Sequence, residues 1–160
     1  MTKNLSYKLL ILYFLIFSSC GFKPLKFENL NNYRINKIST EGSKLINFSI
    51  KNNINQLFIK SDLNAEEIDI IINSSKKRVV KEKNKKNEIT KYEIIIETKI
   101  KIIKKETNKE FILNLNKQGE YQVGNKNIVT INNEKKLTKN LIKSLTDDIV
   151  KQLLINIDDF

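Results

Sequence analysis

Residues 89–104 read ITKYEIIIETKIKIIK. Ile94, Ile96, Thr98, Ile100 and Ile102 share one side of an extended chain, and Glu93, Glu97, Lys99 and Lys101 share the other. A period of two is that of a β-strand. One apolar face opposite one charged face describes a sheet that is covered on one side only.

The neighbouring segments extend this sheet. Residues 68–80 place Ile68, Ile70 and Ile72 on one face, and the charged run 81–88 (KEKNKKNE) predicts a hairpin loop. Thr107, Asn108 and Lys109 supply a second turn. Residues 110–123 then align Phe111, Leu113 and Leu115, with Gly119 a candidate bulge. Upstream, Tyr33–Ser39 predicts a first strand with Tyr33 and Ile35 on one face, although the alternation breaks at Ile38.

Two segments change period. In 43–60, Ile46, Ile50, Ile54, Leu57 and Phe58 mark one face of a helix, with Lys51, Asn52, Asn53 and Gln56 facing out. Thr40 or Ser43 is the expected cap, and Ser61 and Asp62 the expected end. In 134–157, Leu137, Leu141, Leu145, Ile149 and Leu153 recur in steps of four, and Ile142, Val150, Leu154 and Ile157 widen the stripe. Asn132 or Asn133 is the expected cap, and Asp147 and Asp148 fall on the polar side or its edge. Such a broad stripe suits a sheet or helix face better than a dimeric coiled coil. The fold class is therefore α+β, in the order β-α-β-β-β-α. A four-stranded, mostly antiparallel sheet carries two amphipathic helices packed on one face, and 33–160 form a single domain.

Composition bounds the chemistry. The chain has 160 residues, no His, no Trp and one Cys. No intrachain disulfide, no Cys/His zinc site and no His-based triad can form. The adjacent carboxylates Glu66/Glu67, Asp147/Asp148 and Asp158/Asp159 are of a kind common on polar faces, and no nucleophile or phosphate-loop motif occurs. The sequence reads as a binding or assembly protein, not an enzyme, with no cofactor and no metal.

The formal net charge is +11, but 27 of the 29 basic residues are Lys, and Lys, Asn and Ile are the residues that A/T-rich codons favour. Much of the excess thus reads as solvated surface. Two clusters stand out. One is Lys76, Lys77, Arg78, Lys81, Lys83, Lys85 and Lys86, and the other Lys99, Lys101, Lys104 and Lys105. From these, Lys76, Lys77, Arg78, Lys99 and Lys101 are candidate contacts for an anionic ligand such as lipid phosphates. Aromatics do not interleave with either cluster, which argues against nucleic acid.

Residues 1–20 read MTKNLSYKLLILYFLIFSSC. Lys3 and Lys8 precede an apolar run, Leu9–Phe17, that is too short to span a bilayer, and Ser18, Ser19, Cys20 and Gly21 follow. This layout predicts a lipoprotein signal peptide over 1–19, removed before an acylated Cys20, and a lipidated extended tether over 20–32. No Asp follows Cys20, which in a Gram-negative envelope favours the outer membrane.

Cys20 followed by Gly21, Phe22, Lys23, Pro24 and Leu25 gives the start C-G-F-x-P-L. With the element order and the long closing helix, this start resembles LptE, the lipopolysaccharide-assembly lipoprotein family, in its divergent alphaproteobacterial form. The resemblance implies a plug inside the outer-membrane β-barrel LptD that helps the barrel assemble. It also implies a chain that is lipid-anchored, faces the periplasm and binds lipopolysaccharide in transit. A generic periplasmic lipoprotein module is the alternative. A bridge component of the LptC kind, with an uncleaved anchor and an all-β body, fits the lipobox and two helices poorly.

Overall fold

A computed structural model describes residues 27–62 and 64–157. The signal segment, Cys20 and the start up to Leu25 lie outside the described residues. Four strands and two helices follow one another as β1 (Tyr33–Gly42), α1 (Lys44–Leu57), β2 (Glu66–Lys83), β3 (Ile89–Lys104), β4 (Glu110–Gln122) and α2 (Asn127–Asn156). The α+β order read from the sequence is the order observed.

The strands lie in the order β1-β2-β3-β4, with β1 parallel to β2 and the other two pairings antiparallel. Parallel neighbours need a long crossover, which α1 supplies. Strand β3 has the bounds that its alternation predicts. Its neighbours Ile72 and Leu113 flank Ile100, and Ile70 and Phe111 flank Ile102. Ile94, Ile96, Ile100 and Ile102 are buried, together with Ile68, Ile70 and Ile72 of β2. The helices cover this face with Ile46, Ile50 and Ile54 from α1 and Leu141, Leu145, Ile149 and Leu153 from α2.

The broken alternation of β1 is a bulge. Ile35 pairs with Ile68 and Lys37 with Asp69, so Asn36 is the extra residue. The insertion returns Ile38 to register with Ile70, and both Ile35 and Ile38 pack on the core. Gly119, in contrast, is not a bulge. It pairs with Ile94 in an unbroken ladder, and a Cβ there would come within 2.9 Å of Leu137 Cδ1. The missing side chain leaves room for the end of the Leu137 side chain.

Three local expectations are corrected. Residues 27–32 form a 3-10 helix, not an extended tether, and Leu30 is buried in the core. Ser43 occupies the N-cap of α1 but makes no side-chain cap bond, and Thr40 lies within β1. Instead the Ser43 N–H donates to the Ser74 carbonyl (2.9 Å), and Ser74 Oγ donates to Asn47 Oδ1 (2.7 Å). The helix start is thereby tied to β2. Helix α2 begins at Asn127, so Asn132 and Asn133 are not caps but lie inside it. Residues 127–133 (NIVTINN) are weak helix formers. Contacts to β4 and its exit hold them: the Gly124 N–H donates to Thr130 Oγ1, and Asn133 Nδ2 donates to the Gln122 carbonyl.

Candidate functional site

The sequence-predicted cations do not form one patch. Along β2 the pleat sends Lys76 and Arg78 to the helix-covered side and Lys77 to the open side, where Lys99 and Lys101 of β3 also lie. Lys77 pairs with Ile95 and Lys99 with Asn73, so about 13 Å of strand separates them.

Most of these cations are matched by carboxylates. Lys77 meets Glu97 at 3.1 Å and Lys101 meets Glu110 at 2.6 Å. Lys81 contacts Glu93 and Glu120, Lys104 contacts Glu66, and Lys105 contacts Glu67. The open face thus mixes paired charges and amides with isoleucines: Lys99 is flanked by Asn73 and Asn114, and Lys101 by Ile71 and Ile112.

Lys76 and Arg78 converge on Glu134 of α2, at 2.8 and 3.2 Å, and Tyr121 Oη donates to the same carboxylate at 3.0 Å. Tyr121 stacks on Tyr92 with ring centroids 5.6 Å apart, and the Arg78 guanidinium lies 4.8 Å from the centre of the Tyr92 ring. The group clasps α2 to β2 and β4. The hydrogen bond from Lys76 holds the Glu134 carboxyl below the ordinary carboxylate range; partial burial opposes the shift, and Tyr121 and Arg78 add to it. Burial, then Glu134, push the Tyr121 phenol up.

A depressed carboxyl pKa stabilises the fold above the unfolded-state value, and that contribution is lost as pH falls through the folded-state value. Glu134→Gln is therefore expected to cost about 1 kcal/mol or more at pH 7. The difference from the parent should shrink on acidification below the usual carboxylate pKa. Urea unfolding midpoints at neutral and acidic pH check both parts. A constant difference across that range would show that the charge of Glu134 is not what matters.

A concavity lies between the two helices on the covered side. It is a groove of about 790 Å³. Leu45 and Phe48 of α1 form one wall, Lys135, Lys139 and Lys143 of α2 the other, and buried Ile142 lies between. These three lysines have no carboxylate partner among the described residues. They were not singled out in the sequence, although their four-residue spacing beside the apolar stripe of α2 was visible there. Among the described residues no group of three or more His, Cys, Asp or Glu could hold a metal ion.

No protein-family model and no curated protein matches the sequence. Solved structures do match the fold. Rare lipoprotein B from Shewanella oneidensis superposes with a TM-score of 0.58 at 11% identity, over 78% of this chain and 98% of that one. A candidate lipoprotein from Caulobacter crescentus CB15 gives 0.56 at 8% identity, over 83% and 95%. Lipoprotein B from Nitrosomonas europaea gives 0.52 at 13%, over 86% and 90%. At these identities the likeness is one of fold.

Proposed function

We propose that this chain is an LptE-like outer-membrane lipoprotein that plugs the β-barrel LptD, helps it assemble, and so supports lipopolysaccharide transport to the outer leaflet. The observation that carries the reading is a fold shared with solved lipoproteins over nearly their full length, in a chain whose own Cys20 stands in a lipobox. The surfaces are compatible with it. The open sheet face carries paired charges, and large barrels enclose a polar, water-filled interior. In this reading the protein binds and positions, and it is not an enzyme. Direct contact with lipopolysaccharide belongs to the same proposal.

Two measurements test it. Mass spectrometry of the mature N-terminus should find residues 1–19 removed and acyl chains on Cys20, which several chains would anchor stably. An intact Met1 or an unmodified thiol would end the lipoprotein reading. Tagged mature protein, extracted from the envelope of its own cells, should carry LptD with it. Recovery of the lipoprotein with no barrel would leave only a generic lipoprotein module.

A further inference from the structure

The groove between α1 and α2 has a composition that the barrel reading does not use. Leu45 and Phe48 are each 65% exposed, an uncommon degree for two large apolar side chains one helical turn apart. Opposite them, Lys135, Lys139 and Lys143 repeat every four residues, which spaces them by about 6 Å along α2 and about 12 Å overall. Asp147, at the end of the lining, is the one acid there. Lys76, at the edge of the same lining, already has Glu134, so what marks the row is its straight four-residue spacing opposite two exposed apolar side chains.

We propose that this groove is the docking site for an acidic amphipathic helix of a partner polypeptide. A guest helix with Asp or Glu at every fourth position repeats the spacing of the lysine row, and its apolar stripe would rest on Leu45, Phe48 and Ile142. Charge selects among occupants. A second copy of the chain is itself strongly basic, and residues 1–26 hold four lysines and no acid, so neither complements the row. An anionic lipid concentrates its charge in one headgroup, whereas the lysines form a line beside an apolar wall. A line of charge matches a helix. The inference stands apart from the barrel reading, since any acidic helical partner would satisfy it.

The test uses the chain from residue 20 onward, which contains every described element, with Cys20→Ser so that no acyl chain competes. The probe is a labelled amphipathic peptide of about 20 residues, with Leu on one stripe and Glu at four-residue spacing beside it. Its twin carries Lys for each Glu. Vesicles of phosphatidylglycerol form a separate arm. Fluorescence anisotropy should show the acidic peptide binding at least about tenfold more tightly than its twin. Phe48→Ser and Lys139→Glu should each weaken it by about tenfold, since one removes an apolar anchor and the other reverses a paired charge. Both side chains are exposed, and circular dichroism verifies that the fold is kept. Failure of the acidic peptide to bind, equal binding of the twin, or unchanged affinity in Phe48→Ser would overturn the proposal. Vesicle binding that both variants abolish, without peptide binding, would assign the groove to a lipid surface and overturn it equally.

Discussion

Ile100→Lys is expected to abolish folding, while Lys99→Ile, one residue away, leaves the fold intact. Ile100 is fully buried on the inner strand β3, between Ile72 and Leu113 and within the core that the helices cover. Truncating such a side chain alone costs about 2–5 kcal/mol. A lysine there adds the desolvation of an ammonium that has no carboxylate beside it. Small domains are stable by about 5–15 kcal/mol in total, so the sum takes most or all of it. Lys99 faces the open side and is exposed, and a β-branched residue suits a strand there. Circular dichroism and urea unfolding of the two variants give the answer. Ile100→Val, at about 0.5–1.5 kcal/mol, calibrates the site for lost volume without lost polarity. Equal stability of Ile100→Lys and Lys99→Ile would mean that the strand register is wrong, since a slip of one residue exchanges the two faces.

That pair of residues also shows what could be read from the sequence. The bounds of strand β3 were legible because Ile94, Ile96, Ile100 and Ile102 alternate with Glu93, Glu97, Lys99 and Lys101, although Ile95 and Ile103 stand on the charged side and Thr98 on the buried one. The start of α2 was not, because Asn127–Asn133 has no helical preference of its own and takes its shape from bonds to Gly124 and Gln122. The bulge at Asn36 showed only as a lapse in alternation at Ile38, and its meaning emerged from the pairing with β2. The basic clusters illustrate a different limit. Lys76, Lys77 and Arg78 are adjacent in sequence, yet a period of two places the middle one on the opposite face. Their neutralising acid, Glu134, is 56 to 58 residues away from the two it binds. Proximity along the chain overstated the cluster, and α2 brings to the groove three lysines that have no carboxylate partner among the described residues.

Gly42→Ala is expected to be nearly as damaging as a core polar substitution, although the residue is exposed. Gly42 ends β1 with φ of +86°, a conformation that side chains of L-residues rarely adopt. A Cβ built there would lie 2.0 Å from the Ser74 carbonyl oxygen and 3.1 Å from its carbon. That carbonyl cannot retreat freely, because it accepts the Ser43 N–H, and Ser74 Oγ holds buried Asn47. Either the alanine is strained, at about 1–3 kcal/mol, or β1 and β2 separate and the clasp at the start of α1 opens. The second course strands buried polar groups at about 1–3 kcal/mol each. A loss of about 3 kcal/mol or more should appear as a lowered urea midpoint. Gly119→Ala is the control, because the atom it meets is the far end of the flexible Leu137 side chain, which can rotate away. Its expected cost is near zero, since alanine recovers about 0.5–1 kcal/mol of backbone entropy within a strand. If Gly42→Ala proved as mild as Gly119→Ala, the link from β1 into α1 could not run through the left-handed turn described, and the tie between Ser43 and Ser74 would have to be abandoned with it.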